Sequence, residues 1–223
     1  FDDLDPLRLE PDVDLQILEP GTALPGDTDL VLLPGSKATR GDLAALREAG
    51  WDIDIIAHHR RGGWVLGLCG GYQILGRSID DPLGLEGAPG TSEGLGLLDI
   101  ETTLAPSKTV RQSRATDLTT GLAVSGYEIH QGETTGPDTA RPMLKLQDRP
   151  DGAIAGNGRV MGAYLHGLFT SDAFRHAFLA RIRDRAPSDL AYEARIDTVL
   201  DGLAEHLAEH LDTSAIARIA GLA

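Results

Sequence analysis

The residue with the strongest potential for covalent chemistry in this sequence is Cys69, the only cysteine among 223 residues. It lies in the stretch 63–75, where a short apolar run leads into Cys69, two glycines follow, and an apolar pattern with helical spacing resumes. This order predicts a strand, a sharp turn and a helix, with the thiol on the turn. Such a turn needs unusual backbone angles and a close approach of substrate to the main chain, which fits the glycines Gly67, Gly70 and Gly71.

A thiol on a strand-to-helix turn is well placed for nucleophilic catalysis. It lies at the carboxyl end of a strand and next to the unpaired N–H groups of a helix N-terminus, whose dipole favours the thiolate. The usual alternative for a single cysteine is a buried structural residue. Because glycines frame Cys69, the sequence favours the nucleophile.

A cysteine nucleophile needs a base that also carries a proton to the leaving group, and histidine is the usual residue. His166 follows the apolar run 159–165, which is typical of a buried strand. We therefore expect His166 at the same sheet edge as Cys69. His130 also closes an apolar segment, and it is the second candidate for the base or else a residue of the substrate-site wall.

The loop 34–37, Pro-Gly-Ser-Lys, follows another run that is typical of a buried strand, 29–33. Its Gly-Ser-Lys resembles part of a nucleotide phosphate loop, but that motif needs an earlier glycine and the order Gly-Lys-Ser/Thr, which are missing. We favour a tight turn at Gly35 whose main-chain N–H groups face a developing oxyanion next to Cys69.

A second group of reactive residues lies near the end of the sequence. His206, Glu209 and His210 match the His-x-x-Glu-His spacing of one class of zinc peptidases, and histidines four residues apart share a helix face. The segment, however, repeats Ala-Glu-His-Leu twice within a predicted amphipathic helix over about 190–211. We therefore interpret these residues as a solvated face and expect no metal site.

Composition excludes several classes of function. The formal net charge is −14 and no basic patch is present, which argues against binding to nucleic acid or to an anionic membrane. A single cysteine excludes an internal disulfide framework and a cysteine-rich metal site, and it is consistent with a reducing cytoplasm. No apolar run approaches the roughly 20 residues that span a bilayer. We therefore expect a cytoplasmic protein.

The order of predicted elements indicates an α/β fold. Strands and helices alternate up to Cys69, which predicts a mostly parallel sheet with helices on both faces. From 94 to 146 the pattern changes to short strands separated by Gly, Pro and Ser, so we expect an antiparallel, strand-rich middle section. Residues 1–12 contain two prolines and many acids, and we expect them to be a linker from a preceding domain. The domain itself would cover 13–223.

Several short motifs resemble the glutamine amidotransferase domain of the cobyric acid synthase family, within the class I (triad) glutamine amidotransferases. These motifs span nearly the whole chain: Asp5-Pro6-Leu7, Leu33-Pro34-Gly35-Ser36-Lys37, Gly67-Leu68-Cys69-Gly70-Gly71-Tyr72-Gln73, Asp81-Pro82, Gly94-Leu95-Gly96-Leu97-Leu98, Gly126-Tyr127-Glu128-Ile129-His130 and Tyr164-Leu165-His166-Gly167.

The resemblance implies a flavodoxin-like fold and the hydrolysis of glutamine. It identifies Cys69 as the nucleophile that attacks the side-chain amide of glutamine and forms a thioester, with His166 as its base. Main-chain N–H groups near Gly35 and Gly70 would bind the oxyanion, and Gln73 would contact the bound glutamine.

One position departs from the pattern of the class. Many members have a glutamate two residues after the catalytic histidine, and here Leu168 stands at that place. The group that orients His166 is then missing or supplied from elsewhere, with Glu128 as a candidate third member. Similar cobyric acid synthases share this absence, so we still expect an active enzyme.

The resemblance also implies partners outside this sequence. Similar full-length enzymes carry an ATP-binding synthetase domain before this region, so ATP and Mg²⁺ would act there and this part of the chain would need no cofactor. Ammonia would pass to that domain for the amidation of corrin carboxylates in cobalamin synthesis. Two alternatives stay open: the glutaminase subunit of lipid II isoglutaminyl synthase, and a non-catalytic docking domain of the same fold.

Overall fold

The computed structural model describes residues 3–222, which form two compact units that divide between Ser188 and Asp189. Within these residues the helices are α1 (Asp5–Arg8), α2 (Thr39–Glu48), α3 (Trp51–Arg60), α4 (Gly70–Ile74), α5 (Asp172–Ile182), α6 (Tyr192–His210) and α7 (Thr213–Ile219). The strands are β1 (Leu30–Leu33), β2 (Trp64–Leu68), β3 (Ser78–Asp81), β4 (Gly90–Glu93), β5 (Glu101–Asp117), β6 (Ala123–Thr135), β7 (Leu144–Leu146), β8 (Pro150–Asp151), β9 (Ala153–Ile154), β10 (Val160–Ala163) and β11 (Leu165–His166).

The centre of the first unit is a four-stranded sheet in the order β1-β2-β10-β9. The strands β1, β2 and β10 are parallel, and the short β9 pairs antiparallel with β10. The last four residues of β2 are buried. A parallel strand covered on both faces has no solvent side, which explains why β2 is a continuous apolar run.

Helices cover both faces of this sheet. Successive residues of β2 point to opposite faces, and each face belongs to its own hydrophobic core. Leu66 lies in one core with Phe174 and Phe178 of α5. Val65 lies in the other core with Leu43 of α2. The predicted α/β fold with helices on both faces is confirmed.

A second sheet of seven strands contains most of the middle of the chain. Its main path is β11-β6-β5-β3-β4, and β7 and β8 join it at β5. The strands β5 and β6 form a long antiparallel hairpin with an irregularity between Thr103 and Lys108. The predicted strand-rich section is therefore present, and β11, which follows β10 after one residue, connects it to the first sheet.

The prediction that residues 1–12 are a linker is wrong for residues 3–12, while residues 1 and 2 lie outside the described residues. Leu7 of α1 is buried in the same core as Phe174. The carboxylate-bearing residues Asp3 and Glu10 are only 8% and 2% exposed. Prolines and acids are typical of linkers, but here the acids have buried partners far along the chain, which composition cannot reveal.

The second unit, described by itself, consists of α6 and α7. The predicted amphipathic helix over about 190–211 is confirmed by α6, yet no residue of α6 is buried. Val199 and Leu200 on its apolar stripe are 60% and 55% exposed. The single domain expected over 13–223 is thus divided into two compact units.

Among residues 3–222, no helix has both the length and the apolar character needed to cross a membrane.

We expect Phe174→Ala to lower the free energy of unfolding of the first unit by about 3–5 kcal/mol, because it removes a large buried side chain and leaves a cavity. The Phe174 ring lies 5.8 Å and 5.7 Å, centroid to centroid, from Phe169 and Phe178. Ile53→Ala on α3 is the control, since Ile53 is 70% exposed. Urea unfolding measures both, and a similar small loss in the two variants would contradict this core.

Candidate active site

Three parallel strands bring the predicted site residues to one edge of the first sheet. The carboxyl ends of parallel strands share an edge, and β1, β2 and β10 end there. Cys69 directly follows β2, Gly35 is the second residue after β1, and His166 ends β11 just beyond β10. The structure therefore brings together three residues that lie far apart in the sequence, as predicted from their places at strand ends.

Cys69 has a strained backbone. Its φ and ψ are 52° and −110°, and it is the only non-glycine residue with positive φ in the part of the chain that the structure describes. Conformations of this kind cost about 1–3 kcal/mol and persist where the surroundings enforce them. Here the Cys69 N–H donates to Ala163 O at 2.9 Å, and the Gly71 N–H donates to Pro34 O at 3.1 Å. The turn from β2 to α4 is therefore held by both neighbouring strands.

The glycines around Cys69 are required by close packing. A Cβ atom on Gly67 would lie 2.5 Å from Gly71 O, and one on Gly71 would lie 2.0 Å from Leu33 O. Backbone atoms cannot move away cheaply, so no side chain fits at either position. The strand-turn-helix prediction from the glycine pattern is confirmed.

His166 lies between Cys69 and a carboxylate. Its Nδ1–H donates to Asp3 Oδ2 at 2.7 Å, which leaves Nε2 available on the side of Gly35 and Cys69. Asp3 Oδ1 accepts the N–H of Gly167 at 2.7 Å. Asp3 thus fixes both the ring of His166 and the backbone that follows it, as the third member of a Cys-His-Asp arrangement.

The charges in this arrangement favour a protonated imidazole. Burial alone would lower the pKa of His166, but the hydrogen bonds with Asp3 and Cys69, together with their charges, raise it to about 10. His166 is therefore protonated at neutral pH. An imidazolium next to the sulfur stabilises a thiolate and holds a proton that can be given to a leaving group.

Glu128 is not the group that orients His166, so the prediction of Glu128 as third member is wrong. Its carboxylate accepts hydrogen bonds from Arg111 Nε at 2.8 Å, from Ser113 Oγ and from Arg149. In the β-ladder Glu128 pairs with Leu165, the residue before His166. Glu128 and His166 therefore lie close together along the ladder, but the carboxylate of Glu128 already accepts hydrogen bonds from two arginines and a serine.

Gly35 lies against the reacting pair, and Gly70 lies against the loop 34–37. A Cβ atom on Gly35 would lie 2.7 Å from His166 Cε1 and 3.6 Å from Cys69 Cβ. One on Gly70 would lie 2.7 Å from Ser36 Cβ. The loop 34–37 therefore packs against the nucleophile turn, and the role of the two glycine N–H groups in binding an oxyanion stays a prediction.

A profile of CobB/CobQ-like glutamine amidotransferase domains matches residues 1–174, more than three quarters of the chain. The chain belongs to this family.

Relatives from several bacteria support the assignment to the CobB/CobQ-like amidotransferases. Proteins named cobyric acid synthase are 60% identical in Ruegeria sp. strain TM1040, 58% in Paracoccus denitrificans and 56% in Cereibacter sphaeroides, each over 220 residues and 99% of this chain. The matched regions make up 45%, 45% and 46% of those proteins. The chain therefore spans a little under half the length of these relatives.

Solved structures show the same fold at low sequence identity. A glutamine amidotransferase aligns with a TM-score of 0.51 and 17% identity, over 70% of this chain and 80% of the other. A structure of PurLQS from Thermotoga maritima aligns with a TM-score of 0.55 and 19% identity, over 74% of this chain and 80% of the other. The predicted class I amidotransferase fold is confirmed.

Strand β6 closes this amidotransferase site on one side. The Tyr127 ring stacks on His166 with centroids 5.0 Å apart and planes 9° apart. Cys69 Sγ donates to Ile129 O at 3.4 Å. As a result Cys69 and His166 are only 6% and 7% exposed.

Gln73, the predicted glutamine contact, is held on α4 by three protein groups. Its Oε1 accepts from Thr39 Oγ1 at 3.3 Å, and its Nε2 donates to Gln131 O at 3.0 Å and to Tyr164 OH at 3.1 Å. Gln73 is therefore fixed one turn after Cys69, where the resemblance places it. Its contact with substrate stays a prediction.

His130 does not take the place of the base next to Cys69. Its ring stacks on Tyr164 with centroids 3.9 Å apart, while His166 is the histidine that lies next to Cys69 beside Gly35. Burial lowers the pKa of His130 to about 4, so it is neutral at pH 7. Its Nδ1 has no hydrogen-bond partner among the described residues. This leaves His130 with the other predicted role, a residue of the substrate-site wall.

Sequence analysis missed Asp3 and Asp151. Asp3 lies in the segment whose prolines and acids predict a linker, and the apolar residues among those acids, such as Leu7, are the available sign that the segment packs. Asp151 is 3% exposed and accepts the N–H groups of Tyr164 at 3.1 Å and Leu165 at 3.2 Å, just before His166. No local sequence pattern identifies Asp151 as a residue of the site, because the N–H groups that it binds lie 13 and 14 residues further along the chain.

The zinc-like motif lies in the second unit. His206 and His210 lie on one face of α6 with ring centroids 4.2 Å apart, and His210 Nδ1 donates to His206 O. Within residues 3–222 no group of three or more His, Cys, Asp or Glu side chains is arranged to hold a metal ion.

We expect Asp3→Asn to lower kcat for glutamate release from glutamine by about 10²-fold or more, because the imidazole loses its orienting carboxylate. The pH profile should change too. A raised pKa keeps His166 protonated until the pH rises through about 10, and the variant should lose this proton at lower pH. Exposed Asp14→Asn is the matched control. An unchanged high-pH limb in Asp3→Asn would contradict the role of Asp3.

We expect Gly35→Ala to lower kcat by about tenfold or more, because its Cβ atom displaces His166 and small misplacements of catalytic groups are costly. Gly26→Ala is the control, since nothing lies within 4 Å of a Cβ atom there. Glutamate release and thermal melting are measured on both. A Gly35→Ala enzyme with full activity would show that His166 does not need its present position.

Proposed function

We propose that this part of the chain is the glutaminase domain of a cobyric acid synthase, converting glutamine and water to glutamate and ammonia. The observation that carries the proposal is the arrangement of Cys69, His166 and Asp3 on a strained turn. The relatives that align with 99% of this chain carry the name cobyric acid synthase.

The geometry supports a thioester mechanism. The Cys69 thiolate attacks the side-chain amide carbon of glutamine, and the N–H groups of Gly35 and Gly70 stabilise the oxyanion. Protonated His166 gives its proton to the leaving nitrogen, so ammonia departs and a glutamyl thioester remains. The imidazole, now neutral, removes a proton from water, which attacks the thioester and releases glutamate and the thiolate. Asp3 keeps Nε2 of His166 directed at the reacting atoms throughout.

The binding site for glutamine would lie between the nucleophile turn and β6. Gln73 and His130 are the polar residues at this place, joined through Tyr164. The carbonyl of Ile129, which accepts from Cys69 Sγ, would have to give way to the substrate amide. This closed arrangement supports a low basal rate that rises when a partner domain docks.

The partner would be a synthetase domain in the remaining half of the full-length protein. It would bind ATP and Mg²⁺ and use the ammonia to amidate corrin carboxylates. The net charge of −14 gives this part of the chain little attraction for a polycarboxylate, so we place corrin binding on the synthetase side. A free catalytic thiol suits the reducing cytoplasm. The relatives described above are named cobyric acid synthase, so they do not favour the alternative of a lipid II isoglutaminyl synthase subunit.

The test uses the full-length protein with either glutamine or ammonium as nitrogen donor. We expect Cys69→Ser to lower glutamine-dependent amidation of a corrin carboxylate by about 10³-fold or more, because serine is a far weaker nucleophile at neutral pH. Amidation with ammonium should stay at the wild-type rate.

Two results would contradict the proposal. Wild-type protein that releases no glutamate, even while the synthetase half is active with ammonium, would indicate a non-catalytic docking domain. Equal loss with both donors in Cys69→Ser would place Cys69 in a structural role instead.

A further inference from the structure

A buried ion cluster outside the reacting pair has no part in the mechanism described so far. Glu10 Oε1 accepts from Arg175 Nε at 2.6 Å, and Glu10 Oε2 accepts from Arg185 Nη2 at 2.6 Å. The side chains of Glu10 and Arg175 are 0% exposed. Asp172 and Asp12 add further contacts to the two arginines. Charged side chains are almost never buried this deep unless they are paired, and a partner lost here would leave a buried charge without compensation.

Arg175 connects the two chain segments that carry Asp3 and His166. One side of its guanidinium binds Glu10, which lies seven residues after Asp3. Its Nη1 donates to Phe169 O at 2.8 Å, and Phe169 lies three residues after His166. A single arginine on α5 therefore holds together the backbone on either side of the hydrogen bond between Asp3 and His166.

The connection from Glu10 to the neighbourhood of Asp3 is a continuous run of turns. Arg8 N–H donates to Leu4 O, Leu9 N–H to Asp5 O, and Glu10 N–H to Leu7 O, at 2.9, 3.1 and 3.2 Å. The helix α1 has only four residues, too few to be stable by itself. Its position therefore depends on its anchors, which are Leu7 in the core and Glu10 in the ion cluster.

Glu10 stays charged over the whole working range of pH. Burial by itself would raise the pKa of Glu10, but the hydrogen bonds from Arg175 and Arg185 lower it to about 2. The anchor is thus not released by ordinary changes of pH. Removing one partner, by contrast, leaves a buried charge without compensation and shifts the segment.

We propose that Glu10 and Arg175 are positioning residues that keep Asp3 on His166. They do not touch the reacting atoms, and they act by fixing the segment 3–10 relative to the turn that follows His166. The inference rests on the proposed function only for its activity readout.

The test is a double-mutant cycle of Glu10→Gln and Asp3→Asn in the full-length protein. We expect Glu10→Gln alone to lower kcat for glutamate release by about tenfold with KM nearly unchanged, because a small displacement of Asp3 leaves the imidazole poorly oriented. In the Asp3→Asn background the same change should cost less than about twofold, since residues that act through one another are not additive.

A second readout does not depend on glutaminase activity. The rate of Cys69 alkylation by iodoacetamide, followed against pH, reports the interaction of the thiolate with His166. Glu10→Gln and Asp3→Asn should shift this profile in the same direction. If the wild-type protein has no glutaminase activity, the proposed function fails while the alkylation profiles still decide the role of Glu10.

Two further variants separate positioning from general stability. Arg185→Gln keeps the contact of Glu10 with Arg175 and should give a smaller shift in the same direction. Asp29→Asn breaks the exposed pair of Asp29 and Arg183 and should leave kcat and the profile unchanged. The proposal is overturned if folded Glu10→Gln keeps the wild-type kcat and profile, or if its loss is the same with and without Asp3. Unfolding of both Glu10→Gln and Arg185→Gln would also overturn it, by showing a purely structural role.

Discussion

The hydrogen bond between His166 and Asp3, next to Cys69, imposes the main constraint on this structure. An imidazolium that is only 7% exposed is stable only with close partners, because burial penalises its charge. Asp3 supplies that partner for the imidazolium, and together with Cys69 it overcomes the effect of burial on the pKa of His166. The surrounding elements are arranged to keep these three groups in contact.

Backbone geometry supports the site on both sides. Cys69 adopts a strained conformation that neighbouring strands hold through hydrogen bonds from its own N–H and that of Gly71. His166 lies where the chain leaves the parallel sheet at β10 and joins the second sheet at β11. Asp151 secures this crossing by binding two consecutive N–H groups. The junction of two sheets thus places a base from one strand next to a nucleophile from another.

The segment before the first sheet supplies Asp3, the third member of the Cys-His-Asp arrangement. Solved structures at 17% and 19% identity establish the architecture alone. Leu168 occupies the position at which the resemblance would place a glutamate. In this chain the carboxylate comes from Asp3, just before the one-turn helix α1, in a segment with the two buried anchors Leu7 and Glu10. Because Asp3 is the orienting group, the site depends on the position of the whole segment 3–10. A glutamate two residues after the histidine would not create this dependence.

The turn at Cys69, the placement of His166 at a strand end and the α/β class can all be predicted from the amino-acid sequence. Each rests on local signals, namely glycines, continuous apolar runs and helical spacing. The fold was needed to show that Asp3, 163 residues from His166, is the orienting group, that Glu128 pairs with Arg111 and Arg149, and that α6 lies in a separate unit. Hydrogen bonds between polar groups that are remote in sequence produce no periodic pattern in the sequence. Their partners depend on how the strands and segments pack in the fold.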